Sequence, residues 1–405
     1  MNKLVSDGFL ENLRLRLAAE EQLMKQGILK DEGTGREYFS GYSYKVLYDW
    51  DQYFESLVQI YMGWPSEYIK NGVLIFLDNQ RESGLISRSV PSNEYHDPEH
   101  VKPFLAQVAL LVKKAYGETD WLLNERYFPR LKRYLDYWLI DMDENRNGLS
   151  EWMSAPHTGM DNQIERAGFW LDRFCEGVDL NSYLVRETRA FAELARDFGK
   201  TELAADYSQK AEALAERIRE KLWDEADGFF YDGNARFGEA LMSRHAGRWT
   251  PINNSPGPLI RIKSVSSFAA LWAGVAASEQ ARRMVSEHLF NPREFWVKYP
   301  IPALAKSERW YSSDFFPMDL GCNWRAKTWI PTNYMVYHGL KNYGYKELAS
   351  QLAERTLELM RKAGNREYYD TETGNGDGLD PFWGWSLIAH FLPYEEQAAE
   401  TLVRC

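Results

Sequence analysis

The chain has 405 residues but only three cysteines, Cys175, Cys322 and Cys405, an odd number with no C-x-x-C pair. That excludes a disulfide framework and a thiolate zinc site, and the three read as free thiols of a reducing compartment. No apolar run approaches the roughly 18 residues needed to cross a bilayer. The longest, Phe268 to Ala277, is short and alanine-rich. The first residues, Met1 to Gly8, carry no apolar signal core. The expectation is a cytoplasmic protein with no membrane partner. No lysine/arginine run resembles a nucleic-acid footprint, and the net charge of −11 argues against a polyanion partner. Histidines number seven, with no H-E-x-x-H. His96 and His100 have the four-residue spacing of a helical metal pair, but Asp97-Pro98 lies between them and proline disfavours that helix. No metal or other cofactor is expected.

What is present is helical periodicity. Leucine and alanine recur at three- and four-residue steps with charges between them, most clearly from Thr201 to Leu222. Twelve helices are expected, at 6–25, 50–63, 65–80, 101–117, 119–141, 179–198, 201–222, 264–276, 278–289, 328–343, 345–363 and 382–391. They fall into pairs. Joints within a pair are short, as at Gly63-Trp64-Pro65, Phe198-Gly199-Lys200 and Tyr343-Gly344-Tyr345. Joints between pairs are long and rich in Trp, Gly, Asp and Pro. This alternation predicts an all-α (α/α)6 toroid, with a site built by the long loops on one face. An α-solenoid scaffold is the competing architecture, but no motif recurs at a fixed period. No linker divides the chain, so 1–405 reads as one domain. The stretch Asp224 to Gly233 reads as a small hairpin.

The second abundance is tryptophan, fifteen in all. A pyranose stacks its C–H faces on aromatic rings and gives its hydroxyls to Asp, Glu, Asn and Arg, so rings beside carboxylates at helix ends suit a small carbohydrate. Two segments carry the pattern most densely. In Glu151 to Arg166, Gly159 frees the backbone ahead of Asp161-Asn162. A general acid there needs a raised pKa, which Trp152, Phe169 and Trp170 could supply by desolvation; an Asx turn is the equal alternative. In Arg366 to Trp385, Glu367 follows a helix stop and could polarise water, or be a surface acid beside Arg366. Trp383 and Trp385 could stack on sugar or fill the core. Asp49, Trp50 and Asp51 cluster at a helix start, where acids also complement the helix dipole. Trp324, Arg325 and Trp329 cluster ahead of another helix. Gln107 places an amide on an otherwise apolar helix, and 82–100 reads as a lid or an ordinary loop. Asp143 to Gly148 begins like a calcium loop, but Ser154 stands at the twelfth position, so a metal-free Asx-turn loop is expected.

Four pieces occur in order along nearly the whole chain: Trp50-Asp51-x-x-Phe54; Gly159-Met160-Asp161-Asn162; Trp324-Arg325-x-x-x-Trp329-x-Pro331-x-Asn333-Tyr334; and Glu367-x-Tyr369 with Gly374 and Trp383-Gly384-Trp385. Together they resemble the catalytic domain of glycoside hydrolase family 63 and the related family 37 trehalases, nearest to the compact bacterial hydrolases of mannosylglycerate and glucosylglycerate. The resemblance implies an (α/α)6 barrel and an inverting hydrolysis of a short α-glucoside or α-mannoside. It makes Asp161 the general acid and Glu367 the general base. Tyr44, Trp50, Asp51, Gln107, Trp152, Asn162, Arg166, Trp324, Arg325, Trp329, Trp383 and Trp385 are then expected at the substrate. The chain departs from the family at Gln163-Ile164-Glu165-Arg166, Arg325-Ala326-Lys327 and Phe382-Trp383, positions expected near the aglycone. A sugar 2-epimerase of the same architecture and a non-catalytic carbohydrate-binding protein are the competing functions. A homo-oligomer stays open.

Overall fold

The computed structural model describes residues 8–43, 45–169, 173–237, 242–245, 248–251, 257–314, 322–398 and 402. Its α-helices are α1 (Gly8–Arg16), α2 (Ala18–Met24), α3 (Asp49–Met62), α4 (Glu67–Asp78), α5 (Leu105–Tyr116), α6 (Phe128–Asp136), α7 (Ala155–Thr158), α8 (Ile164–Ala167), α9 (Val178–Asp197), α10 (Thr201–Lys221), α11 (Ala269–Trp272), α12 (Ser278–Arg283), α13 (Ile330–Asn342), α14 (Lys346–Ala363) and α15 (Leu392–Gln397). A 3-10 segment, Trp385–Phe391, precedes the last.

Burial sorts these helices into two layers. Every residue of α3 is buried, and α9 and α13 are nearly as enclosed. In α10 the buried set is one stripe, Ala204, Tyr207, Ala211, Leu214, Ala215 and Ile218. A helix enclosed on all faces belongs to an interior, and one with a single apolar stripe lies outside it. The packing agrees: α3, α5, α9, α11, α13 and the 3-10 segment Trp385–Phe391 each touch the next, and the last returns to α3. That closed ring, with α4, α10 and α14 packed outside it, is the expected (α/α)6 barrel. Rings from successive inner elements fill its axis. Tyr53 meets Phe104 at 5.1 Å, Phe104 meets Tyr183 at 5.0 Å, and Trp272 lies 5.9 Å from both Tyr53 and Tyr183.

Several helix limits differ from expectation, for local reasons. The helix expected over 119–141 starts at Phe128, because the Asn124 side chain accepts the N–H groups of Arg126 and Tyr127 and Pro129 occupies the first turn. The one expected over 264–276 is a 3-10 turn, Val265–Phe268, and a single α-turn. The 6–25 helix breaks at Leu17, and the last expected helix starts at Trp385, not 382. In the hairpin region Trp223–Asp224 pairs with Phe229–Phe230, and Gly228 makes the turn at φ +67. Asp232–Asn234 leaves it to pair with Cys175–Glu176 and Leu259–Ile260. In the calcium-like loop, Asn145 Oδ1 accepts the Asn147 N–H and Asn147 Oδ1 accepts the Leu149 N–H, which is Asx-turn geometry; the Asp143 carboxyl accepts the N–H groups of Asn147 and Gly148.

One buried knot ties α3, α13 and α15 together. Glu395 is fully buried and accepts from the hydroxyls of Tyr61 and Tyr334, while His338 Nε2 lies 2.7 Å away. Burial alone would raise its pKa, but His338, Tyr334 and Tyr61 hold it below the ordinary value. Removing one partner of such a group leaves the rest unsatisfied at a cost of about 3–5 kcal/mol. Glu395→Ala should therefore lower unfolding stability in urea by about that amount, whereas surface Glu202→Ala should change it by less than about 0.5 kcal/mol.

Candidate active site

The long loops enclose a cavity of about 600 Å³ at one end of the ring, lined by both Asp161 and Glu367. A space of that size suits a small ligand.

The first wall is the start of α3. The strand Leu47–Tyr48 pairs with Ser89–Val90, which brings Arg88 beside that helix end. Asp49 is occupied by Lys102: the ammonium lies 3.1 and 3.2 Å from its two oxygens, and the Lys102 N–H donates to it at 3.0 Å. Asp51 accepts from the Tyr42 hydroxyl. Burial lifts its carboxyl to about 7, against the lowering effect of that bond. Arg88 pairs with Glu99 at 2.5 Å, and Glu99 also accepts from Ser154. Asp49, Asp51, Arg88, Glu99 and Lys102 all line the cavity.

The second wall carries Asp161. Ser154 caps α7 by accepting the His157 N–H at 3.1 Å, and the helix stops at Gly159 with φ +85. A Cβ at Gly159 would lie 3.0 Å from the Trp50 ring and 3.3 Å from Lys102. Glycine thus serves both the left-handed turn and the close approach. The Asp161 carboxyl is raised chiefly by burial. Arg88, a bond from the Cys322 thiol and Lys102 pull it down, and Asp49 pushes it up.

Glu367 closes the third wall, immediately before the strand Tyr368–Asp370. That strand pairs with Lys327–Thr328, so the Trp324 loop and Glu367 are joined by backbone hydrogen bonds. Leu379 N–H donates to the Glu367 carboxyl at 2.9 Å, and a Cβ at Gly378 would lie 2.3 Å from it. Burial lifts Glu367 to about 7; the Leu379 bond opposes this, and the charges of Asp161 and Asp377 add to it. Glu367 therefore senses the charge of Asp161.

Aromatic rings supply the rest of the lining. Trp324 stacks on Trp329 at 3.6 Å and 6°, and Trp50 meets Trp324 at 5.7 Å and Trp385 at 6.4 Å. Tyr42, Tyr48 and Phe169 complete this surface, and Tyr95 and His96 of the 82–100 loop form a rim. His96 is held near 4 by burial and by the positive charges of Arg88 and Lys102, with Asp49 opposing.

Of the expected substrate residues, Trp50, Asp51, Trp324, Trp329 and Trp385 are in the lining. Six others are not, and each has a structural task instead. Gln107 is buried near the ring axis, donating to the Pro103 carbonyl and accepting from Arg186. Trp152 donates to Asp179 at 2.8 Å. Arg166 is fully buried between Asp179 and Asp232. Asn162 accepts from Trp324 N–H at 2.8 Å, and Arg325 donates to the Asn162 carbonyl and to Glu165 at 3.0 Å each. Trp383 donates to the Ser40 carbonyl at 2.8 Å. The positions that depart from the family pattern are likewise scaffold: Gln163 donates to the Trp324 carbonyl at 2.7 Å, and Lys327 sits 3.2 Å from both Asp370 and Asp377. Tyr44 and Trp170 lie outside the described residues. Not foreseen were Tyr42, Arg88, Glu99, Lys102 and Cys322, whose roles come from contacts distant in sequence.

A helical ring with paired carboxyls in an aromatic cavity at one end has the architecture of the (α/α)6-barrel glycoside hydrolases. A family model described as the mannosylglycerate hydrolase MGH1-like glycoside hydrolase domain matches residues 44–386, and the chain belongs to that family. It is 30% identical over 217 residues to the mannosylglycerate hydrolase of Rubrobacter radiotolerans, covering 53% of this chain and 42% of that one. It is 24% identical over 426 residues to the cytosolic neutral trehalase of Saccharomyces cerevisiae, covering 86% and 52%. The chain thus spans about half, or less, of these curated relatives. The solved structure of a GH63 mannosylglycerate hydrolase from Thermus thermophilus, in complex with Tris and D-glycerate, shares the fold with a TM-score of 0.69 at 20% identity, over 94% of this chain and 99% of that one.

Holding Glu367 near 7 has a cost. Between its unfolded value near 4.5 and about 7, the folded chain binds more protons there than the unfolded chain, so stability falls as pH rises across that window. At about 1.4 kcal/mol per pKa unit the ceiling is about 3 kcal/mol, reduced by water reaching the partly exposed carboxyl. Glu367→Gln should therefore raise the Tm at pH 8, and the gain should vanish near pH 4. A Tm gain independent of pH would contradict this origin.

Proposed function

We propose that the chain is an inverting α-glycosidase for a short α-glucoside or α-mannoside, working as one domain in the cytoplasm. The observation that carries this reading is the presence of Asp161 and Glu367 in one aromatic-lined cavity, each with its proton affinity raised by burial. Membership of the glycoside hydrolase family supports it, and the cytosolic trehalase relative supports the compartment. Asp161 gives its proton to the glycosidic oxygen as the C–O bond breaks. Glu367 takes a proton from the water that attacks the anomeric carbon on the opposite face. The working state holds one proton between the two acids, on Asp161, with the charge on Glu367. Trp324, Trp329 and Trp50 offer a ring surface for the sugar, and Asp51 an acceptor for its hydroxyls. A 2-epimerase needs imidazoles as proton shuttles; His96 is the single histidine among the described lining residues, and its lowered proton affinity does not suit that task.

The test is NMR of the first-formed sugar from α-glucosides and α-mannosides, with mannosylglycerate and trehalose among them. The β-anomer is expected first; an α-anomer would exclude inversion, and an isomerised sugar would favour the epimerase. Asp161→Asn should lower kcat on these substrates by roughly 10²–10⁴-fold, but much less on an aryl glycoside whose leaving group needs no proton. Glu367→Gln should lose both activities. On the aryl substrate, the acid limb of kcat/KM reports ionisation of Glu367, which burial lifts to about 7, and it should move little in Asp161→Asn, because Asp161 is protonated and neutral in the working state.

A further inference from the structure

The Asp161 contact that no family motif anticipates is a thiol. Cys322 Sγ lies 3.0 Å from Asp161 Oδ2, donating to it, and both residues line the cavity. A thiol has a single S–H to give, and Asp161 Oδ2 receives it.

We propose that Cys322 is a positioning residue that fixes which oxygen of Asp161 carries the transferable proton. Oδ2 accepts the S–H, so the carboxylic proton resides on Oδ1, and Oδ1 faces the glycosidic oxygen in the reaction. This rests on the assignment of Asp161 as general acid. The step balances without involving sulfur. The Oδ1–H bond breaks as the leaving oxygen takes that proton and keeps the C–O electron pair, while the proton of the attacking water goes to Glu367. Cys322 stays a thiol throughout, since burial and the Asp161 charge hold its pKa well above the ordinary value. A thiol is also a weak donor. It orients the carboxyl while stabilising its ionised form less than a hydroxyl would, which suits a group that must stay protonated. The other charges facing Asp161 are Arg88, Lys102, Asp49, Glu99 and Glu367, and none of them changes in a Cys322 variant.

Cys322→Ala and Cys322→Ser test this through opposite shifts. Loss of the donor in Cys322→Ala removes a bond that favours ionised Asp161, so the basic limb of kcat/KM should move to higher pH. The stronger hydroxyl donor of Cys322→Ser should move it to lower pH. Cys322→Ala should also lower kcat on a poor leaving group by about fivefold, the worth of one net hydrogen bond, and hardly change it on the activated aryl glycoside. Equal losses on both substrates with an unmoved basic limb would mean that Cys322 only packs, and would overturn the proposal. If neither variant folds, the infrared S–H stretch of the wild-type protein decides. It should lie at the lower frequency of a donating thiol and rise in Asp161→Ala; no change would overturn the proposal. Full activity of Asp161→Asn on poor leaving groups would instead overturn the assignment of Asp161 as general acid, so the two failures are distinct.

Discussion

Two carboxyls sharing one poorly hydrated cavity cannot both release their protons cheaply, and the molecule is organised around keeping them there. Burial raises Asp161 and Glu367 alike, and the charge of Asp161 raises Glu367 further. What holds them together is closure of the helical ring. Asp161 follows the turn after α7 and Glu367 stands just before the strand after α14, more than two hundred residues later. Gln163 fastens the Asp161 segment to the Trp324 carbonyl, and the Lys327–Thr328 strand fastens the Trp324 loop to the Glu367 strand. Neither acid is positioned by its own helix alone.

The charges around the pair are not symmetric. Arg88 and Lys102 lower Asp161, while Glu367 senses only acids, Asp161 and Asp377, beside the backbone N–H of Leu379. Both cations are themselves paired, Arg88 with Glu99 and Lys102 with Asp49, so they orient the field without leaving a bare charge in a low-dielectric wall. The same rule governs the scaffold. Arg166 lies fully buried between two aspartates, and Glu395 between two tyrosines and a histidine. In both of these networks the partners lie within hydrogen-bond reach and come from other elements.

That rule explains which residues pattern alone misplaced. Arg166, Gln107 and Trp152 have the residue types of a sugar site and lie in the right segments, yet they serve buried networks. A polar side chain in a loop reads the same whether it faces a ligand or an internal partner. Conversely Arg88, Glu99, Lys102 and Cys322 carried no signal. Each matters through a group far along the chain, as with Cys322 and Asp161, 161 residues apart. Helix limits slipped where a side chain competed with the backbone, as Asn124 does ahead of α6.

The helices, their pairing and the toroid were legible in the residues themselves, because apolar periodicity and short glycine joints act over a few neighbouring positions. The two acids were singled out only through the resemblance of four ordered motifs to a known hydrolase family; each taken alone had an equal reading as a turn or a surface acid. The cavity, the raised proton affinities and the division of polar residues between substrate wall and scaffold were decided only by tertiary structure. Desolvation and Coulomb interactions depend on distance in space, and closing the ring is what sets those distances.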